Sequence, residues 1–161
     1  MAKGKTNAMR ILDAKKIEYA MFTYENKDGK IDGVSVAEKT GRELQTVFKT
    51  LVAQGTSKAI YVFVIPVQEE LDLKKAAKAA GEKKVEMIAV KDIQKHTGYI
   101  RGGCSPIGMK KLYPTYIHSS AKELEKVVVS GGKIGVQIEI SPNQLQEVVA
   151  AVITDVVKVG E

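Results

Sequence analysis

The stretch "KAIYVFVIP", residues 58–66, constrains the fold more than any other part of the chain. Its β-branched and aromatic residues run on without polar alternation, so it reads as a strand buried on both faces. "TVFKTLVAQG" reads as a second strand, in which period two puts Val47, Lys49 and Leu51 on one face and Phe48, Thr50 and Val52 on the other. "YAMFTY", "KKVEMIA" and "TYIHSS" are further strand candidates, and "KVVVSGGKIGVQIEI" reads as two strands joined by a glycine-rich turn. Helices fall between them. Thr6 caps a first helix over 6–17, Ser35 and Glu38 form a capping box for a short helix stopped by Gly41, and "DLKKAAKAAG" closes on Gly81. Another short helix over 91–97 ends at Gly98. Ser120 with Glu123 forms a second capping box. Ser141 caps a last helix with Pro142 in its first position and Leu145, Val148, Val149, Val152 and Ile153 as its apolar face. "NKDGKIDG" reads as turns through its Asp-Gly pairs.

This irregular alternation does not fit a repeating βα pattern, so the expected fold is a mixed α/β domain whose sheet is open or closed. With 161 residues and 44% hydrophobic content, one domain over 1–161 is expected. The apolar runs are too short to span a bilayer and the N-terminus lacks a signal-peptide stretch, which points to a cytoplasmic protein with no membrane contact. One cysteine and two histidines, His96 and His118, offer no convincing ligand set, so no metal and no cofactor are expected. Lys and Arg number 25 against 19 acids, a net charge of +6 that suits a polyanionic partner and equally suits lysine-rich solvated helix faces.

Chemistry concentrates in "GYIRGGCSPIG", residues 98–108. Cys104 is either a nucleophile, which would need a base or a positive field, or a small half-buried side chain. Gly102 and Gly103 precede Ser105 and Pro106, while Gly131 and Gly132 follow Ser130; each pair forms either a tight turn or a backbone cradle for an anion or carbonyl oxygen. Neither stretch is a Walker A loop or a GxGxxG fingerprint, which argues against nucleoside triphosphate hydrolysis. Lys49 on an apolar strand face either lines a pocket and meets an anion or guards a sheet edge. Arg101, Lys110 and Lys111 bracket the glycine loop with positive charge, as a phosphate-rich ligand or a solvated rim would require. His96 and His118 stand alone and read as surface or structural histidines.

Taken together, "VFKTL", "LDLKKAAKAAGEKKVEM", "TGYIRGGCSPIGMKK" and "VSGGKIG" resemble the YbaK/EbsC family of bacterial aminoacyl-tRNA deacylases, over residues 6–155 and in the family's order. The resemblance implies a six- to seven-stranded mixed β-barrel surrounded by helices. It also implies an enzyme that releases cysteine from Cys-tRNA(Pro), and by extension Cys-tRNA(Cys), acting on the tRNA acceptor end alongside prolyl-tRNA synthetase, without cofactor. Lys49, Gly103 and Ser130 would then be the catalytic positions, with Tyr24, Gly102, Gly131, Ser105 and Pro106 binding substrate. The family is described as using the substrate's own thiol as nucleophile, which makes Cys104 incidental and the product a thiolactone. Two other functions stay open: a noncatalytic tRNA- or synthetase-binding regulator, and a deacylase for another amino acid such as alanine. Where relatives read "HTYEH", this chain reads "FTYEN", with Phe22 and Asn26 in place of both histidines. The loop over 27–33 also departs from the family.

Overall fold

The structure is a computed structural model and describes residues 5–30 and 33–159. Thr6 caps α1 (Asn7–Ala14) by accepting from the Met9 amide, and Ala8, Met9 and Leu12 face the interior. Next come β1 (Ala20–Thr23), α2 (Gly33–Thr40), β2 (Phe48–Gly55) and β3 (Ile60–Pro66), the last buried at every position. Asp72 caps α3 (Leu73–Ala80), which ends on left-handed Gly81. They are followed by β4 (Val85–Met87), α4 (Val90–Thr97), β5 (Thr115–His118), β6 (Val127–Ser130), β7 (Val136–Ile140), α5 (Pro142–Val149) and β8 (Val152–Thr154).

The strands form two sheets, β1-β7-β6 and β4-β2-β3-β5-β8. β3 pairs parallel with β5, and β5 parallel with β8; the other ladders are antiparallel. Among the described residues a single parallel bridge, Val47 with Val128, joins the sheets. The mixed α/β domain expected is present, and among the described residues its eight strands lie in two sheets that meet along one seam, with no closed barrel found. The main core lies between them: Phe48, Val62, Val64 and Ile117 meet Val127, Val129, Ile138 and Ile140, with α1 and Leu145 of α5 closing the ends. On its other face the larger sheet packs Ala53, Phe63 and Ile65 against Ala76 and Ala77 of α3. Ala37 of α2 covers Val47 and Val128 at the seam.

Three local readings change. α2 begins at Gly33, so Ser35 lies inside the helix rather than at its N-cap, although Gly41 does end it in a left-handed turn. Ser120 lies in a 3-10 turn, Ser119–Glu123, with no side-chain cap, and its hydroxyl is buried without a partner. The last helix stops at Val149 because Ala150 turns left-handed, and Val152 and Ile153 then join β8 instead of the helix face. The first Asp-Gly turn is present, the Gly29 amide donating to Asn26 O at 3.1 Å. The second lies outside the described residues at Asp32.

Candidate active site

β2 brings Lys49 to the seam. Val47 bridges Val128 in parallel register, so two residues further along both strands Lys49 lies beside Ser130. Ser130 is opposite Gln137 on β7, and Gln137 is opposite Phe22 on β1. Alternation puts all four side chains on the face where α2 covers Val47 and Val128, which gives a cross-strand row Phe22, Gln137, Ser130, Lys49. Lys49 is not an edge guard, since β2 is flanked by β3 and by the seam at this height.

Lys49 is half-buried, and among the described residues its ammonium has no hydrogen bond or ion pair. Burial pushes its pKa down, against the pull of Glu70 and Glu69. An ammonium held in that state favours an anion. Gln137, which sequence reasoning missed, is 6% exposed and its side-chain carbonyl oxygen is buried without a partner. In "VQIEI" Gln137 alternates with Glu139 on the polar face, so the sequence offers no signal that sets it apart.

The other motifs converge on the turn that follows Ser130. The Ser130 hydroxyl accepts from the Gly132 amide at 3.3 Å. A side chain on Gly103 would meet the backbone of Lys133 and Ile134 at 2.9 Å, so the two glycine motifs pack backbone to backbone. On the turn's other flank the Tyr24 amide donates to Gly135 O at 3.0 Å, and Asn26 lies against Gly135. Tyr24 itself is partly buried, with Lys39 Nζ 5.9 Å from its ring centre. Lys39 also bonds Glu25 O, Lys30 O and Asp28, fixing the 27–30 segment to α2. Phe22 carries the Arg42 guanidinium 3.9 Å above its ring, and Arg42 pairs with Glu139 at 2.7 Å.

Several expected donors are already engaged. The Gly103 amide donates to Ile100 O at 3.0 Å and the Gly131 amide to Val136 O at 2.9 Å. Left-handed Gly102 bends the chain so that Gly103 reaches the turn. Ser105 and Pro106 are buried, and the Ser105 hydroxyl accepts from the Ile107 amide at 3.2 Å, which makes this pair a brace under the loop rather than its surface. Cys104 is buried beside Val52, Ile60 and Tyr99, and its Sγ donates to Thr97. Burial pushes the thiol up to about 11, so it is protonated at neutral pH and unsuited to attack. His96 and His118 are outside the row. The His118 Nδ1 accepts from the Val156 amide in a cleft of about 400 Å³ that Glu69, Ser119, Ser120 and Asp155 also line. Among the described residues no cluster of three or more His, Cys, Asp or Glu could hold a metal ion. No helix among them is long and apolar enough to cross a membrane.

Residues 32–148 match the aminoacyl-tRNA editing domain family. The chain is 49% identical over 141 residues to "Putative Cys-tRNA(Pro)/Cys-tRNA(Cys) deacylase EbsC" of Enterococcus faecalis, covering 88% of this chain and 86% of that protein. Its fold is similar to that of the hypothetical protein APE2540, with TM-score 0.87 and 22% identity over 95% of this chain and 100% of the other. It is also similar to that of "a putative trans-editing enzyme for prolyl tRNA synthetase", with TM-score 0.82 and 20% identity over 99% of each chain. The row at the seam, the convergent glycine motifs and this identity lead to one assignment: the chain belongs to the aminoacyl-tRNA editing domain family.

Proposed function

We propose that this chain, acting as one domain, is a deacylase that releases cysteine from Cys-tRNA(Pro), and in the same way from Cys-tRNA(Cys), by attack of the substrate's own thiol. The observation that carries the proposal is Lys49: a half-buried ammonium without a partner, beside Ser130 and the glycine turn. Lys49 would hold the 3′-terminal phosphate or ribose, fixing the ester against the turn. The cysteine sulfur attacks the ester carbonyl carbon, the bond from that carbon to the ribose oxygen breaks, and the thiol proton passes to the departing oxygen. The products are a thiolactone and free tRNA. Water is not consumed, so the step is closer to a lyase than to a hydrolase. The amides of Gly103 and Gly131 are occupied, so their glycines serve the close approach of loop and turn, and Ser130 and Gln137 are the polar groups facing the ester. Tyr24 and Gly102 shape the two sides of the turn. Prolyl-tRNA synthetase would supply the tRNA selectivity.

The test is amino-acid release from Cys-tRNA(Pro) and Ala-tRNA(Pro), with and without prolyl-tRNA synthetase, beside Lys49→Ala. Cysteine-selective release that needs Lys49 is expected. Release of alanine at the same rate would remove the thiol from the mechanism, and tRNA binding without release of either would leave a regulator in place of an enzyme.

A further inference from the structure

Away from the Lys49 row, a second cleft of about 440 Å³ is lined by Lys91, Gln94, Lys95, Gly98 and Lys110, with no acid among them. Local structure explains only part of this charge. Lys95 sits in the last turn of α4, where the helix dipole favours it, and Lys110 lies over left-handed Gly98 with its Nζ donating to Lys95 O at 3.2 Å. Lys91 has no such reason. It sits in the first turn of α4, against the dipole, four residues before another lysine on the same face.

The loop that leaves this cleft at Gly98 leads to the site. From Gly98 the chain runs through exposed Arg101 to Gly103, whose backbone packs on Lys133 in the turn after Ser130. Among the described residues none of Lys91, Lys95, Arg101, Lys110, Lys111 or Lys133 has an ion-pair partner. A line of uncompensated cations leading to a reactive pocket is what a phosphate backbone ending in that pocket requires.

We propose that α4 and the 98–111 loop form a docking track for the phosphate backbone of the tRNA acceptor arm, whose 3′ end enters the Lys49–Ser130 row. This rests on the deacylase reading above and adds the surface that holds the body of the substrate. Lys91 and Lys95 touch no reacting atom; they bind, and the row does the chemistry.

The experiment compares Lys91→Ala/Lys95→Ala with a matched pair on another helix, Lys74→Ala/Lys78→Ala on α3, which has the same spacing and charge loss. Binding of uncharged tRNA-Pro transcript is titrated across salt, and cysteine release is measured both from Cys-tRNA(Pro) and from a cysteinylated CCA trinucleotide. For the α4 pair, tRNA binding weakens on the order of tenfold, the slope of log K against log salt falls by about two, and release from the trinucleotide is unchanged. The α3 pair leaves all three as they were. Unchanged binding in the α4 pair, or equal loss in the α3 pair, overturns the track. Normal tRNA binding with loss only of stimulation by the synthetase would reassign the face to a protein partner and also overturn it. If the unmodified protein binds no tRNA, the track fails too, and release from the trinucleotide then tells whether the deacylase reading survives.

Discussion

Lys49 and Cys104 are both reactive side chains in partly or fully buried positions, and their surroundings push them toward opposite roles. The Cys104 thiol, pushed up to about 11 by burial, keeps its proton, and its contacts are packing contacts. Cys104→Ala should lose about 1 kcal/mol of stability and retain the wild-type release rate, measured by denaturant titration and by single-turnover release. Loss of turnover with the fold intact would return the thiol to the mechanism. Lys49 is lowered by burial, so the unfolded chain holds its proton more tightly than the folded one. Stability then rises with pH between the folded value and the ordinary value of 10.5, and at neutral pH the charged lysine is a burden on the fold. Lys49→Met should raise Tm by about 2 °C at pH 7 and flatten that alkaline rise, while cutting release about a hundredfold. A variant that melts lower and still turns over would place the ammonium in structure rather than in function.

At the scale of elements, the turns carry the site, and Gly103 shows how tightly. A methyl group there would sit 2.9 Å from the backbone of Lys133 and Ile134, and backbone cannot rotate away. Gly103→Ala should cost about 2 kcal/mol and part the loop from the Ser130 turn, lowering release by more than the stability loss predicts; calorimetry and release assays together check this. Elements whose signals are local were legible in the sequence: the Thr6 cap, the Asp72 to Gly81 helix, the Ser141–Pro142 start and the β6–β7 hairpin all stand where their residues imply. Signals that compete with tertiary packing misled. Ser120 with Glu123 matches a capping box, yet the segment forms a 3-10 turn, and Val152 and Ile153 continue a helical stripe, yet β5 recruits them as a parallel strand. Lys49, Ser130 and the glycine pairs stood out as residues, but the resemblance to known deacylases gave them roles. Gln137 escaped because a polar residue on a strand's second face looks ordinary until its neighbours Ser130 and Phe22 are known.

For the whole molecule, the seam decides where function can be. Lys49 comes from the larger sheet, and Ser130, Gln137 and Phe22 from the smaller, so the row exists only while the sheets stay in register. Among the described residues that register rests on the bridge of Val47 with Val128, both about 1% exposed and covered by α2. The core between the sheets holds them together but does not set the height of one strand against the other, since apolar contacts tolerate sliding better than hydrogen-bonded pairs do. Val128→Ala should cost about 2 kcal/mol from lost burial and the space left behind. Val85→Ala, at an equally buried position on β4 away from the row, should cost a similar amount. Compared well below both melting temperatures, where each variant is fully folded, release should fall severalfold for Val128→Ala and stay near wild type for Val85→Ala. Equal rates in the two would mean that the row is held by its own side chains and that the seam contributes stability alone.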